Sequence, residues 1–247
     1  MVLDLVLPRR CLSCAELGAD LCLRCRAELP LLLGTHCARC GAPTVWPVSR
    51  CRECSGRRLA FASARAAVAY QDPVPALVAA WKERGLRRLA ELTAEIVGET
   101  IARPDAHAIA FVPPDGDRSV RRGHHPAQRL ARELGRRWAL PVIGTLGRAR
   151  APRPQRGLTL VERRRNVRGS FVAHRRVPSR LVLVDDVYTT GATASAAASA
   201  LRRNGARRVD VVTFARAVRS IQSSRPDTAI TGGLGATPGE GQERRGH

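Results

Sequence analysis

Short apolar runs, each too brief for a helix, alternate along the chain with longer segments of helical periodicity. Residues 181–184, LVLV, fit a buried parallel strand. Segments with helical spacing lie at 74–101, 127–138 and 192–203. The predicted strands are residues 61–70, 108–112, 141–146, 171–173, 181–184 and 209–214. This order predicts an α/β fold in which helices flank a parallel sheet, and the sheet proper is expected to start at residue 108.

Residues 181–191, LVLVDDVYTTG, carry the most informative pattern. Asp185 and Asp186 follow the apolar strand directly, at the edge of an α/β sheet where ligands usually bind. Residues 188–191 then form a predicted turn that carries hydroxyl groups, and an Ala-rich helix follows it. The sequence therefore predicts two acids and the start of a helix at one edge of the sheet.

This arrangement suits a ligand that carries a phosphate and a vicinal diol. The first backbone N–H groups of a helix lack partners and carry the positive end of its dipole, so a hydroxyl-rich turn there can cradle phosphate. Two adjacent carboxylates can accept hydrogen bonds from the vicinal hydroxyls of a ribose. The alternative is that the acids only cap the helix. The candidate residues for a ribose 5-phosphate ligand are Asp185, Asp186, Tyr188, Thr189, Thr190, Gly191, Ala192 and Thr193.

The cysteines of the chain all lie between residues 11 and 54, where they form four CxxC pairs. A CxxC turn brings two sulfurs to one side, and two such turns complete a tetrahedral Zn²⁺ site. The sequence predicts two structural zinc ions; short loops favour sequential pairing of the turns, and interleaved pairing stays open. Disulfides and a redox role are less favoured alternatives in a reducing compartment. The predicted ligands are Cys11, Cys14, Cys22, Cys25, Cys37, Cys40, Cys51 and Cys54.

Charge narrows the class of ligand. Arg and Lys outnumber Asp and Glu by 42 to 21 over 247 residues, a formal net charge of +21, and Lys82 is the only lysine. This surplus suits phosphate-rich ligands and single-stranded DNA, with a coding bias towards arginine as the alternative explanation. Four Phe, three Trp and two Tyr are few for extensive base stacking. The basic residues of the predicted helices at 74–101 are expected on a solvated face.

The chain divides by composition into three parts. These are a zinc-binding module at residues 1–58, an α/β domain at 59–216 and a disordered tail at 217–247 that is rich in Ser, Gly, Pro and Thr. No segment approaches the roughly 18 apolar residues that span a membrane, and the N-terminus lacks the order of a signal peptide. A cytoplasmic protein is therefore expected.

A polar, basic loop at residues 115–125, DGDRSVRRGHH, follows the strand predicted at 108–112. In a doubly wound sheet this loop lies beside the loop after the strand that ends in the two acids. Arg118, Arg121 and Arg122 are therefore expected to face phosphate groups of the same ligand.

Two further features of the loops stay open. His124 and His125 are either proton donors or uninvolved in chemistry. Residues 148–168 are arginine-rich and interrupted by prolines, and a loop of this length is expected to be a lid or disordered.

Residues 181–193 closely resemble the phosphoribosyl pyrophosphate (PRPP) loop of type I phosphoribosyltransferases: an apolar strand, two acids, two apolar or aromatic residues, Thr-Thr-Gly, one residue and Thr. With the CxxC pairs and residues 153–171, RPQRGLTLVERRRNVRGSF, the chain resembles the ComF family over residues 5–216. Many members have Gly-Phe-Asn-Gln where residues 123–126 are Gly-His-His-Pro.

The resemblance implies a type I phosphoribosyltransferase-like parallel sheet with an N-terminal double zinc ribbon. It also implies Mg²⁺-dependent PRPP binding, in which Arg118 and Arg122 join the candidate ligand residues, and an involvement in DNA uptake in naturally competent bacteria. The helices at 74–101 would cover the sheet as part of a hood. Expected partners are PRPP or ribose 5-phosphate, single-stranded DNA, and competence-machinery proteins or a second copy of the chain.

The resemblance supplies no acceptor substrate, so two hypotheses about activity stay open. An Mg²⁺-dependent phosphoribosyltransferase would hold the ribose hydroxyls through Asp185 and Asp186 while C1′ gains oxocarbenium character as pyrophosphate leaves. A non-catalytic binding module would instead sense PRPP or bind single-stranded DNA.

Overall fold

The structure is a computed structural model that describes residues 9–114, 125–149 and 170–218. Its elements in chain order are α1 (Leu23–Ala27), β1 (Ser63–Ala69), α2 (Val74–Lys82), α3 (Leu89–Thr100), β2 (Ala108–Phe111), α4 (Pro126–Trp138), β3 (Val142–Ile143), β4 (Leu146–Arg148), β5 (Phe171–Ala173), β6 (Arg180–Tyr188), α5 (Ala192–Arg203) and β7 (Arg208–Arg216). A five-stranded parallel sheet has the order β1-β7-β6-β2-β3, and β4 pairs with β5. The α/β fold with a parallel sheet flanked by helices is confirmed.

The sheet differs from the predicted one in its membership. The sequence pattern starts the sheet at residue 108, but β1 pairs in parallel with β7 at its edge. Residues 171–173, predicted as a strand of the sheet, form β5 and pair antiparallel with β4 instead. The single strand predicted at 141–146 is divided between β3 and β4. After β3 the chain leaves the sheet, and Leu146 of β4 and Phe171 of β5 bury their side chains in the core that α5 covers.

β6 extends beyond its apolar run. The LVLV segment predicts a strand that ends at Val184, whereas β6 continues to Tyr188 because β7 runs beside it. Asp185 pairs with Thr213 and Tyr188 with Arg216. The acids therefore belong to the end of the strand, and the strand ladder fixes their backbone.

Side chains of β6 point alternately into two cores. Val182 and Val184 join the first core, which α2, α3 and α4 cover. Leu181 and Leu183 join the second core, which α5 covers. The buried positions of α5 are mostly alanines, whose small side chains let this helix pack closely on the sheet.

The helices on the first core confirm the periodicity of the sequence. Residues 74–101 form two helices, α2 and α3, and Gly85 between them has a φ of +68°. The residue before α4 is His125, and Pro126 begins the helix, where its missing N–H has no cost.

In the part of the chain that the structure describes, no helix is long and apolar enough to cross a membrane. The predicted lid and tail lie almost wholly outside the described residues.

Candidate functional site

A cleft lies at the carboxyl ends of β2 and β6. These strands pair in parallel, with Phe111 opposite Val184, so the chain segments that follow them meet at one edge of the sheet. The cleft has a volume of about 520 Å³. Polar and charged side chains on its wall include Lys82, Arg148, Asp185, Asp186, Thr189 and Thr193. The two acids and two of the predicted hydroxyl residues therefore share one cavity.

Backbone hydrogen bonds fix both carboxylates at the end of β6. Asp185 Oδ1 accepts a hydrogen bond from the N–H of Asp186 at 2.9 Å. Asp186 Oδ1 accepts one from the N–H of Val187 at 2.7 Å. The acids are thus adjacent, held by their own backbone, and available to the same ligand.

Lys82, at the end of α2, is the basic residue that meets the acids directly. Its Nζ lies 2.7 Å from Asp186 Oδ1, with side-chain exposures of 30% for the lysine and 15% for the aspartate. The expectation of a solvated face is therefore wrong for Lys82, because α2 brings its last turn over the carboxyl end of β6. The sequence feature that could have singled out this residue is composition, because Lys82 is the only lysine of the chain.

The electrostatics of the acidic pair favour a proton on Asp185. Burial and the neighbouring Asp186 carboxylate raise the pKa of Asp185 to about 8, against the lowering effects of the Asp186 N–H, Lys82 and Arg148. This carboxyl therefore holds its proton more strongly than an exposed aspartate does. A ligand that donates hydrogen bonds, or a cation, would favour its ionised form.

The Thr-Thr-Gly turn, residues 189–191, leads from the strand into α5. Thr190 Oγ1 accepts a hydrogen bond from the N–H of Ala192 at 3.3 Å, and Gly191 has a φ of +71° at the helix N-cap. Thr189 and Thr193 lie on the cleft wall on either side of this position. The helix N-terminus therefore opens towards the acidic pair.

Tyr188 lies beneath this turn rather than on the cleft wall. It is buried in the second core, where its ring meets Phe61 at a centroid distance of 6.3 Å and the Arg216 guanidinium at 4.6 Å. A Cβ on Gly191 would lie 2.2 Å from the Tyr188 hydroxyl. Tyr188 thus belongs to the support of the turn.

The cysteines form two separate groups of four. The first ribbon is defined here as the group of Cys11, Cys14, Cys22 and Cys25, and the second ribbon as that of Cys37, Cys40, Cys51 and Cys54. Within each group the sulfurs lie within 4.8 Å of one another. Sequential pairing of the CxxC turns is confirmed.

The sulfur geometry fits tetrahedral zinc. Four Zn–S bonds of about 2.3 Å place the sulfurs about 3.8 Å apart. Observed separations are 3.7 Å for Cys14–Cys22 and 3.5 Å for Cys40–Cys51. Backbone N–H groups also point at sulfur, for example from Cys51 to Cys37 at 3.3 Å, and such donors stabilise thiolates. All four positions of a tetrahedral ion would be filled by protein, which is typical of a structural site.

Comparisons with known proteins agree with these features. A family model described as the double zinc ribbon domain matches residues 2–55. Competence protein F of Haemophilus influenzae is 29% identical over 226 residues, which cover 84% of this chain and 97% of that protein. DNA utilization protein YhgH of Salmonella typhi is 31% identical over 187 residues, which cover 71% of this chain and 81% of that protein. The chain belongs to the ComF family.

A third ComF-family relative, competence protein ComFC of Bacillus subtilis, is 27% identical over 194 residues, which cover 74% of this chain and 78% of that protein. The family resemblance seen in the sequence is thus confirmed over most of the chain. Arg118, Arg121, Arg122 and His124 lie outside the described residues, so their placement towards a ligand stays a prediction.

His125 has a third role that the sequence hypotheses did not include. Its Nδ1 accepts a hydrogen bond from the N–H of Gln128 at 3.3 Å, which caps α4. The ring also packs edge-on against Phe111 at a centroid distance of 5.4 Å, on the wall of the cleft. A helix cap explains a histidine at this position without proton transfer.

Arg148 is a further cleft residue that the sequence reasoning missed. It ends β4, donates from Nε to the carbonyl oxygen of Pro114 at 2.9 Å, and stacks over the Phe171 ring at 4.9 Å. In sequence it opens the long arginine-rich segment 148–168, so nothing distinguishes it from its neighbours. Its place depends on the antiparallel pairing of β4 with β5.

Proposed function

We propose that this ComF-family chain binds PRPP, or a ligand that contains ribose 5-phosphate, in the cleft at the carboxyl end of β6. The observation that carries the proposal is the shared cavity of Asp185 and Asp186 with Thr189 and Thr193 at the start of α5. The carboxylates would accept hydrogen bonds from the ribose diol. The N-terminal N–H groups of α5 and the threonine hydroxyls would receive the 5-phosphate.

We extend the proposal to phosphoribosyl transfer. In that reaction the bond between C1′ and pyrophosphate breaks, pyrophosphate leaves with the electron pair, and a nucleophile forms the new bond to C1′. Asp185 and Asp186 would hold the ribose while positive charge develops at C1′, and Arg148 would attract the negatively charged ligand. Positioning and electrostatics, rather than a general base, would supply the catalysis.

Mg²⁺ forms part of this proposal. The carboxylate oxygens of Asp185 and Asp186 are donors that Mg²⁺ prefers, and they lie next to each other at the cleft wall. Bound together with PRPP, Mg²⁺ would offset the negative charge of the pyrophosphate. Because the pKa of Asp185 is raised, Mg²⁺ binding to this carboxyl would release its proton, since a nearby cation stabilises the ionised form.

We also propose that the activity serves DNA uptake or use. The support comes from the names of two relatives, competence protein F and DNA utilization protein YhgH. A binding module for single-stranded DNA is the second candidate, favoured by the net charge of +21 and by a basic groove lined by Arg58, Arg202 and Arg203. Pyrophosphate release from PRPP across a panel of nucleobases and oligonucleotides separates turnover from binding alone.

The double variant Asp185→Asn/Asp186→Asn tests the diol site. It preserves shape but removes two charged acceptors, and hydrogen bonds to charged groups contribute ~1.5–3 kcal/mol each, so PRPP affinity should fall at least ~tenfold. Isothermal titration measures this loss. Thermal stability without ligand should change little, because relief of the two adjacent carboxylates raises it while loss of the Lys82–Asp186 ion pair lowers it.

Thr193→Val is the matched variant for the phosphate site. It should weaken PRPP and ribose 5-phosphate alike, whereas the Asn variant should spare a ligand that offers phosphate without a diol. Undiminished PRPP binding by the Asn variant would mean that the acidic pair is structural and that the proposed site is wrong.

A further inference from the structure

The second ribbon packs against the same core as the Thr-Thr-Gly turn. Cys37, Cys40 and Cys54 share the second core with Tyr188 and with the buried face of α5. The first ribbon instead places Cys11 and Cys25 in the core on the other side of the sheet. The two metal sites therefore contact different parts of the protein.

Arg216 joins the second ribbon to the strand that leads into the turn. This last residue of β7 is 1% exposed, and its guanidinium donates to the Cys40 carbonyl oxygen at 2.6 Å and to the Glu53 carboxylate at 2.6 Å. The same guanidinium lies over the Tyr188 ring. These partners fix the buried guanidinium in one place. A shift of the second ribbon would therefore move Arg216 and, with it, the Tyr188 ring.

Tyr188 in turn limits the shape of the turn. The space above its hydroxyl is occupied by Gly191, which has no side chain and adopts a left-handed backbone conformation. Movement of the ring towards Gly191 would push the N-cap of α5 out of place. The contact is tight enough that even one methyl group does not fit.

Further polar contacts tie the end of the second ribbon directly to the turn and to α5. Arg57, three residues after Cys54, donates from its NH2 group to the carbonyl oxygen of Thr190 at 2.5 Å. The N–H of Ala60 donates to Ser195 Oγ in the first turn of α5 at 3.0 Å. The turn is thus held from below through Tyr188 and from outside by Arg57.

We propose that the second ribbon is the support that holds the Thr-Thr-Gly turn in its ligand-binding shape, with Glu53, Arg57 and Arg216 as positioning residues. The ligand part of this statement rests on the function proposed above, whereas the coupling of ribbon and turn does not. The zinc of the second ribbon then has a role in the cleft although no atom of its site reaches the ligand.

Arg57→Leu and Glu53→Gln test the coupling, with Arg26→Leu as the control on the first ribbon. Arg26 pairs with Glu95 and Glu99 of α3, so its loss disturbs a ribbon contact of similar kind on the other core. Hydrogen–deuterium exchange of the peptide that contains residues 189–198 is the main readout. Arg57→Leu should accelerate this exchange about fivefold, the factor expected for one lost hydrogen bond. Glu53→Gln keeps an acceptor for Arg216 but removes the charge of the pair, so it should accelerate the exchange by a smaller factor. Arg26→Leu should leave it unchanged.

Two measurements separate positioning from general damage. Zinc content should remain two per chain in all three variants, and Arg57→Lys, which can still donate to Thr190, should restore slow exchange. Unchanged exchange in both Arg57→Leu and Glu53→Gln would overturn the coupling. If Arg216→Met folds, it is expected to show the largest acceleration of exchange. If it does not fold, Arg57→Leu and Glu53→Gln test the coupling without it.

Ligand titration then distinguishes the coupling from the proposed function. Inorganic pyrophosphate and ribose 5-phosphate are the probes. Faster exchange together with weaker binding of these probes supports both proposals. Faster exchange with unchanged probe affinity supports the coupling and overturns the assignment of the turn as the phosphate site.

Discussion

The two ribbons carry the same four-cysteine arrangement but hold different parts of the protein. The first ribbon buries Cys11 and Cys25 in the core that α2 and α3 cover, and it also forms ion pairs with α3: Arg26 with Glu95 and Glu99, and Asp20 with Arg88. The second ribbon meets the sheet and the Thr-Thr-Gly turn through buried contacts. The helices on the side of the first ribbon thus carry Lys82, which faces the acids. The second ribbon, on the other side of the sheet, contacts the turn.

The contacts of the two ribbons also differ in strength. Glu99 keeps 55% of its side chain exposed, and ion pairs of this kind contribute ~0–1 kcal/mol. In the pair of Arg216 with Glu53 the arginine side chain is 2% exposed and the glutamate 29%, so this charge is less screened by water than those of the first ribbon. The two ribbons thus differ in their polar contacts: those of the first ribbon are with α3 and are more exposed, and those of the second ribbon reach the sheet and the turn.

The largest effect should come from breaking one metal site at a time. Cys14→Ser and Cys51→Ser each remove one ligand at the more exposed edge of a group, so zinc should fall from two ions to one per chain. Cys51→Ser should lower PRPP affinity more than ~tenfold, and Cys14→Ser by less than ~threefold, because the second ribbon shares its core with Tyr188 and α5, whereas the first ribbon packs in the core on the other side of the sheet. Metal analysis and titration check both numbers. Equal losses in the two variants would abolish the distinction between the ribbons.

A smaller effect is expected from filling the space above Tyr188. Gly191→Ala introduces a Cβ at 2.2 Å from the tyrosine hydroxyl in a left-handed backbone conformation. We expect a loss of ~1–2 kcal/mol in the free energy of unfolding and a roughly tenfold loss in PRPP affinity. Denaturant unfolding and titration measure the two quantities.

Gly98→Ala in α3 is the matched control for that substitution. Its Cβ would lie 2.4 Å from Arg137 Cδ, part of a flexible side chain that can move, and alanine in a helix interior is favoured by ~0.5–1 kcal/mol over glycine. This variant should keep PRPP affinity. If Gly191→Ala binds PRPP as tightly as Gly98→Ala does, the turn accommodates a side chain at residue 191 and the contact with Tyr188 does not fix its shape.

The last effect is a dependence on pH rather than a single loss, and it concerns one carboxyl group. Burial and Asp186 raise the pKa of Asp185 to about 8, above its value in the unfolded chain. The stability that protonated Asp185 contributes is therefore complete below the unfolded pKa and is lost as pH rises to about 8. Relative to Asp185→Asn, wild-type protein should lose up to ~1.4 kcal/mol per pH unit between those limits. Urea unfolding of both proteins from pH 5 to pH 9 checks the slope, and parallel curves would contradict it.

Lys82 supplies the control for the pH prediction. Its charge lowers the pKa of Asp185, so Lys82→Met should move the transition to higher pH, whereas Lys82→Arg should keep it in place. A transition at the same pH in the Met variant would mean that the cover helices do not set the charge balance of the cleft.

The sequence was most informative where chemistry depends on neighbouring residues. Asp185, Asp186 and the turn are consecutive, and each CxxC pair spans four residues, so their spacing alone predicts which groups converge. Strand membership was less predictable, because the short apolar runs at β1 and β5 do not encode which strand they pair with. Phe171 is buried in the second core, while its strand pairs with β4 outside the parallel sheet.

The supporting contacts depend on residues that are far apart in the chain. Arg216 reaches the Cys40 carbonyl oxygen across 176 positions, and Arg57 reaches Thr190 across 133. In a sequence with 42 basic residues, nothing local separates these arginines from those on the surface. These two arginines can be recognised as supporting residues only from the packing of the second ribbon against the sheet.

Lys82 gives the chain a practical property as well as a charge in the cleft. Since no other lysine is present, reagents that acylate amines can modify only this ε-amino group and the α-amino terminus. The ion pair with Asp186 restricts access of reagents to the amine, and a ligand that engages Asp186 would change the rate of acylation. The labelling rate of one side chain therefore reports occupancy of the cleft in unmodified protein.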